Sequence, residues 1–302
     1  MTSALLACAM LFVLGAGCTL PNELAWLGGA ESVVSADVDL TNGSVIVLHD
    51  SSANPLERLK KVPDREVTVS DWLAGEKATI TWSETYDRET AESIAARTAA
   101  EHATGVGETP NIPDAVYETI SLGGTLATES LAAGDRIRLP SDWPEGAVEA
   151  REGNTLIWLS RKQYDELEAT RHTQLSLGAI DAGLSHVADG IQTVKDLIGT
   201  VTGDNSTVTA QPAITEIEAD VEWGTYALTW NDAQVRVQTI SAENQFARYT
   251  ILANPENPLI LAVELKPWAF STEALGILGA DLNLNGYEIT KISTPRSVTI
   301  TP

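Results

Sequence analysis

The residues with the clearest capacity for chemistry are four carboxylates that alternate with apolar residues between positions 216 and 223. The carboxylates are Glu216, Glu218, Asp220 and Glu222, and the apolar residues are Ile217, Ala219, Val221 and Trp223. In a strand, this alternation places the carboxylates on one face, about 7 Å apart, and turns the apolar residues inward. Such a face can bind a cation or the Lys and Arg side chains of a basic partner. A solvated outer face of a sheet is the alternative.

A second acidic pattern fits the first half of a calcium-binding loop. Asp281, Asn283 and Asn285 precede Gly286 with the spacing D-x-N-x-N-G, which points three oxygen ligands at one ion. Position 12 is Ile292, so the usual bidentate Glu is missing. Asn-Gly is also typical of a two-residue hairpin turn. Calcium is therefore only a weak candidate as a cofactor, and a hairpin is the alternative interpretation.

The sequence contains no recognisable catalytic motif. Its four histidines, His49, His102, His172 and His186, are scattered and lack the spacing of zinc ligands. It also lacks a phosphate-binding loop, a dinucleotide-binding motif and a nucleophile elbow. We therefore assign no catalytic residue and no firm metal ligand. A catalyst assembled from dispersed acidic residues stays open as an alternative.

The charge of the chain restricts its partners. The 302 residues include 19 basic and 42 acidic ones, which gives a net charge of −23. A surface of this charge repels the phosphates of nucleic acids and anionic lipid headgroups. We therefore exclude a role in binding DNA or RNA.

The N-terminal residues predict an export signal. Residues 1–17 carry no charged side chain and are mostly apolar, but they are too few to span a membrane. The sequence Leu14-Gly15-Ala16-Gly17-Cys18 resembles the lipobox of bacterial prolipoproteins. This resemblance implies cleavage before Cys18, a lipid on Cys18, and a tether over 18–32 that holds the protein in the cell envelope, at the outer membrane or the periplasmic face. An uncleaved membrane anchor is the alternative.

Residues 33–174 show the mixed patterns of an N-terminal α+β domain. Asn42-Gly43 lies between two alternating runs and predicts a β-hairpin. An Ala-, Glu- and Arg-rich stretch predicts a helix over 84–103. Ser160 and Gln163 match a capping box, which predicts a helix that runs to about Thr170.

The C-terminal half begins with a predicted long amphipathic helix over 175–202. Its apolar residues alternate in steps of three and four, as in a coiled coil, and include Leu184, Val187, Ile191 and Val194. This helix either packs on its own domain or binds a partner or a second copy. Residues 203–212 read as a linker. Closely spaced strand patterns over 213–302 predict an antiparallel β-sandwich or barrel.

Together these features predict an α+β, β-dominated protein that is anchored outside the cytoplasm and acts as a structural or binding component. Two alternatives remain. The protein could be an accessory subunit of a membrane protein complex, held by its lipid and by the amphipathic helix. It could also be a hydrolase or carbohydrate-active enzyme that uses dispersed acidic residues.

Overall fold

β-Strands make up most of the regular structure in the computed structural model of the chain. The structure describes residues 38–51, 63–103, 111–128, 130–147, 153–177, 216–244, 247–266 and 285–295. The chain divides into two compact units, Met1–Val33 and Val34–Pro302, and all described residues belong to the second. Within this described part, none of the helices has the length and apolar character needed to span a membrane.

The strands are numbered here in chain order. In the described residues they are β1 (Val45–Ser51), β2 (Arg65–Leu73), β3 (Lys77–Glu89), β4 (Tyr117–Ala127), β5 (Arg136–Ile137), β6 (Gly146–Ala147), β7 (Asn154–Leu156), β8 (His172–Gln174), β9 (Ser176–Leu177), β10 (Glu216–Ala219), β11 (Gly224–Trp230), β12 (Ala233–Glu243), β13 (Ala247–Leu252), β14 (Ile260–Leu265) and β15 (Gly286–Ser293). Two helices, α1 (Ala91–Ala103) and α2 (Arg161–Thr170), lie between strands. The prediction of a β-dominated fold that also contains helices is confirmed.

Most of these strands join one sheet. Its order is β6-β4-β3-β2-β1-β15-β14-β13-β12-β10-β8, and β11 pairs with both β12 and β15. From β11 to β15 each strand pairs antiparallel with the next, and β15 closes a ring by pairing in parallel with β11. The predicted barrel within 213–302 is therefore present as a five-stranded ring. Its pairing is mixed because an odd number of strands in succession must close with one parallel pair.

The sheet joins the two halves of the chain. β1 pairs with β15, and β8 pairs with β10, so strands from before and after residues 203–212 are hydrogen-bonded to each other. The pairing therefore does not follow the predicted separation into domains over 33–174 and 213–302. A second, parallel sheet contains β7, β5 and β9.

The hydrophobic core lies along the inner face of the strands. On β2, buried Val67 and Val69 alternate with exposed residues, as expected for a strand with one face in the core. The fully buried Trp158 packs against Trp72, with 5.4 Å between ring centroids, and its Nε1 donates to Asn257 Oδ1 at 3.0 Å. The core is thus continuous across segments that are distant in sequence.

Two local predictions are wrong in part: the strand pairing of the predicted hairpin and the first residue of the predicted helix. The turn at Asn42-Gly43 forms, with a bond of 2.9 Å from Ser44 N to Thr41 O, but residues 38–40 form no strand. β1 pairs with β2 and β15 instead. The helix predicted over 84–103 begins only at Ala91, because the preceding residues complete β3 and pair with β4.

The long amphipathic helix predicted over 175–202 lies outside the described residues except for its first three positions. Of these, Ser176–Leu177 form β9, which pairs in parallel with β5. Leu177 is therefore buried in a small sheet and does not begin a helix. The predicted interaction residues lie outside the described residues: Leu184, Val187, Ile191 and Val194.

Helix α2 forms as predicted from its capping box. Ser160 Oγ accepts a hydrogen bond from Gln163 N at 3.3 Å, and Gln163 Oε1 accepts one from Ser160 N at 2.8 Å. The helix buries Tyr164 and Leu167 and ends at Thr170, and the capping residue that follows, Arg171, has a left-handed backbone with φ of 66°. This end of the helix places Arg171 beside β10, at the site described next.

Candidate functional site

Strand β10 carries the first two carboxylates of the predicted acidic face. Glu216 and Glu218 are exposed, whereas Ile217 and Ala219 are buried. The strand pairs with β8 on one edge and with β12 on the other. The predicted alternation is therefore present over Glu216–Ala219.

The alternation ends at Ala219, and the inward orientation predicted for Val221 and Trp223 is wrong. Both side chains are exposed, at 77% and 50%. β10 and β11 pair with β12 in turn, and Ala219 lies opposite Ala242 while Gly224 lies opposite Thr239. The residues between Ala219 and Gly224 outnumber those facing them on β12, so the chain loops out of the sheet. Asp220 and Glu222 lie in this exposed loop.

An open pocket of about 470 Å³ lies where β10, β12 and β14 end. We call it the β10 pocket, and its lining residues are Arg171, Glu218, Ala219, Asp220, Glu243, Asn244 and Lys266. Two of these residues, Glu218 and Asp220, belong to the predicted acidic face. Ala219 lies between these two, and the remaining four residues come from three further parts of the chain, so the sequence alone does not place them together.

Glu243 holds two cations at one side of the β10 pocket. Its Oε2 accepts a hydrogen bond from Arg248 Nη2 at 3.0 Å and lies 3.4 Å from Lys266 Nζ. Lys266 Nζ also donates to the Asn244 carbonyl oxygen at 2.6 Å. Partial burial acts to raise the pKa of Glu243, but the Arg248 hydrogen bond and the Lys266 charge outweigh it and hold that pKa below its usual value. Arg248 and Lys266 are therefore already paired with a carboxylate of the protein itself.

The Arg171 side chain is hydrogen-bonded to the backbone of β10. Its Nη2 and Nε donate to the Ala219 carbonyl oxygen at 2.6 and 3.0 Å. Ala219 N in turn donates to the Arg171 carbonyl oxygen at 2.8 Å. These bonds tie the end of α2 to the end of β10, so the Arg171 side chain serves to shape the pocket.

Glu218 and Asp220 form no ion pair with any other residue that the structure describes. Glu218 lies directly opposite Glu243 in the pairing of β10 with β12. Like charges directly opposite each other on a sheet destabilise it. Arg248 and Lys266 already offset the charge of Glu243, so the pocket carboxylates left without a cation among the described residues are Glu218 and Asp220. The pocket is thus suited to a positively charged group.

The other carboxylates of the acidic face lie outside the pocket lining. Glu216 Oε1 is 3.4 Å from His172 Nδ1 on β8, and Glu222 is exposed in the loop. Among the described residues, no group of three or more His, Cys, Asp or Glu side chains is placed to share a metal ion.

The calcium-loop candidate and the lipid-attachment residue are largely outside the described residues. Asp281, Asn283 and Cys18 are not described, whereas Asn285 directly precedes β15. Gly286, the first residue of β15, pairs with Ser51. Any side chain at position 286 would overlap the Val263 carbonyl oxygen, which explains the glycine by close strand packing.

A buried charged cluster on β1, β2 and β3 was not anticipated from the sequence. Arg65 Nη2 and Nε donate to Glu84 Oε2 at 2.6 and 3.1 Å. The Arg65 guanidinium carbon lies 4.9 Å from the ring centroid of Trp82 and 5.5 Å from that of Trp143. The available signal was the position of Arg65, which shares the inward alternation of the buried valines on β2.

Asp50 completes this cluster. Burial raises the pKa of Asp50; the Arg65 charge opposes this effect, and the Glu84 charge adds to it. Asp50 Oδ1, Arg65 Nη1 and Trp82 Nε1 are buried without a hydrogen-bond partner among the described residues. Because Arg65 is only 8% exposed, we assign this cluster to the packing of the sheet and take the β10 pocket as the candidate site.

Comparisons with models of known protein families, with curated protein sequences and with solved structures found no match, so the functional interpretation depends on the residues of this chain alone.

Proposed function

We propose that the protein is a membrane-anchored extracytoplasmic lipoprotein that acts as a binding component, and that its β10 pocket receives a cationic group of a basic partner protein. One observation carries the binding proposal. Glu218 and Asp220 face the pocket without an ion-pair partner in the described part of the chain, whereas the cations around them are held by Glu243 and by the backbone of Ala219.

The anchor is supported by the sequence. The apolar residues 1–17 and the lipobox-like Leu14-Gly15-Ala16-Gly17-Cys18 favour export and lipid attachment at Cys18. A single attached lipid chain holds a protein at a membrane only weakly, whereas two chains hold it stably. The diacylglycerol that the resemblance implies supplies two, which suits a binding component of the cell envelope.

The charge of the molecule favours a basic partner over a neutral one. The net charge of −23 attracts cationic groups over a distance set by the ionic strength, about 8 Å at physiological salt. Val221 and Trp223 are exposed in the loop that follows Asp220. An exposed Trp offers a large apolar contact area at low entropic cost. A segment that carries both Lys or Arg and apolar side chains would match this surface.

A defined probe tests this proposal. A fluorescent peptide of alternating Lys and Leu is titrated with the full chain, and binding is followed by fluorescence anisotropy. We expect binding that weakens as salt increases. The variant Glu218→Gln with Asp220→Asn should bind about tenfold more weakly, since two exposed charge pairs of roughly 0.7 kcal/mol each amount to about 1.4 kcal/mol.

The matched control is Asp39→Asn with Glu66→Gln, which removes the same charge from exposed positions outside the pocket lining. It should leave the affinity almost unchanged. Equal losses of affinity in the two variants would mean that the peptide responds only to the net charge of the protein. No binding by the unsubstituted chain would reject the proposal.

Calcium is the alternative cation for the same carboxylates. If the face binds calcium, adding calcium should raise the melting temperature, and the pocket variant should lose that rise. Such a result would assign Glu218 and Asp220 to calcium instead of a basic partner.

A further inference from the structure

A histidine lies beside Glu218 at the β10 pocket. In the antiparallel pairing of β8 with β10, His172 is directly opposite Glu218. The next residues, Arg171 and Ala219, are a hydrogen-bonded pair, since Ala219 N donates to the Arg171 carbonyl oxygen at 2.8 Å. Hydrogen-bonded and non-hydrogen-bonded pairs alternate along an antiparallel ladder. His172 and Glu218 are therefore a non-hydrogen-bonded pair, the kind whose side chains lie closest together.

The His172 side chain shares an exposed face of the sheet with two carboxylates of β10. Its Nδ1 is 3.4 Å from Glu216 Oε1, and the side chains of His172 and Glu216 are 47% and 43% exposed. Glu218 follows on the same face, two residues further along β10. On β12, the residue opposite Glu218 is Glu243. Of the two described residues directly opposite Glu218, only His172 can carry a positive charge.

The charged groups on the elements that pack against β8 determine what a protonated His172 would contact. From β10, the two carboxylates attract a positive charge on the ring. From α2, Glu166 accepts a hydrogen bond from Thr173 Oγ1 at 2.6 Å, and Thr173 is buried on the opposite face of β8. Arg171, between α2 and β8, repels a positive charge on the ring. A protonated His172 is therefore held by β10, and one of the two carboxylates that hold it is Glu218, which the proposed partner also needs.

We propose that His172 makes the binding of a cationic group at the β10 pocket depend on pH. This inference rests on the function proposed for that pocket. Histidine is the side chain whose charge ordinarily changes between about pH 5 and pH 8. A protonated ring places a positive charge next to Glu218, and this charge competes with a Lys or Arg side chain of the partner. A neutral ring leaves Glu218 to the partner, so the pocket binds more tightly above neutral pH than below it.

The test repeats the anisotropy titration with the Lys-Leu peptide across this pH range at constant ionic strength. The peptide is acetylated at its N-terminus and amidated at its C-terminus, so that its charge does not change with pH. Carboxyl groups ordinarily titrate near about pH 4 and lysines near about pH 10, so neither accounts for a change in this range. The unsubstituted chain should bind roughly threefold more tightly at the upper end of the range than at the lower end, because one exposed charge pair changes affinity by about that factor.

Variants at position 172 separate the charge of the ring from other causes. His172→Gln should bind at every pH as the unsubstituted chain does at the upper end of the range. His172→Lys, which carries a permanent charge, should bind at every pH as the unsubstituted chain does at the lower end. The matched control is His49→Gln, because His49 Nδ1 also lies close to a carboxylate, 2.9 Å from Asp64 Oδ1, but outside the pocket lining. This control should keep the full dependence on pH.

The outcomes distinguish this inference from the function on which it rests. No binding of the peptide at any pH rejects the proposed function and this inference with it. Binding that does not change with pH keeps the proposed function and overturns the role of His172. So does a dependence on pH that His172→Gln retains in full, or a His172→Lys variant that binds as tightly as His172→Gln.

Discussion

Replacing Arg65 with Met removes the one cation of the buried cluster and tests how its charges are balanced. The Arg65 and Glu84 side chains are only 9% and 13% exposed. The substitution removes both hydrogen bonds to Glu84 and the opposing charge that limits the rise in the pKa of Asp50. Removing one partner of a buried ion pair costs about 3–5 kcal/mol, because the remaining charge stays desolvated and unpaired. We expect a loss in that range for Arg65→Met.

Glu84→Gln is the matched comparison and should cost less, about 1–2 kcal/mol. Gln retains an oxygen that can accept from Arg65, so the loss is that of a charge-assisted hydrogen bond. Asp50 also remains as a counter-ion, and its pKa should fall, since the Glu84 charge is one of the causes that raise it. The asymmetry arises because the cluster contains two carboxylates but only one cation.

Urea unfolding at pH 7, followed by circular dichroism, measures both losses. A lower midpoint with an unchanged dependence on urea reports a loss of stability. The double variant Arg65→Met with Glu84→Gln should lose less than the sum of the two, because the residues interact directly. If Glu84→Gln destabilises the protein as much as Arg65→Met does, the account of two carboxylates sharing one cation is wrong.

Three further outcomes are expected. Burial raises the folded-state pKa of Asp50 above its ordinary value of 3.8, so the folded protein favours the protonated carboxyl and its stability falls as pH rises from that value through the folded-state pKa. Asp50→Asn should therefore raise the free energy of unfolding at pH 7. An equal gain below about pH 4 would contradict this. Ser160→Ala should lower that free energy by about 1–2 kcal/mol through loss of the α2 cap, and an unchanged urea midpoint would refute it. Intact-mass analysis of the native protein should show a chain that begins at acylated Cys18, and an unmodified Met1 would exclude lipid attachment.

Features that depend on a few adjacent residues could be predicted from the sequence. The capping box of α2 is one example, since Ser160 and Gln163 satisfy each other within one turn. The turn at Asn42-Gly43 is another. The pairing around that turn could not be predicted, because β1 joins β15, whose residues are more than 200 positions away. Alternation identifies a strand but does not identify its neighbours.

The candidate site could likewise be predicted from the sequence only where it depends on adjacent residues. The alternation that includes Glu218 predicts an exposed carboxylate on a strand, and the structure places it so. The prediction fails after Ala219 because the chain between β10 and β11 contains more residues than the facing part of β12. Arg171, Glu243 and Lys266 reach the pocket from α2, β12 and the end of β14, and only the tertiary fold brings them together.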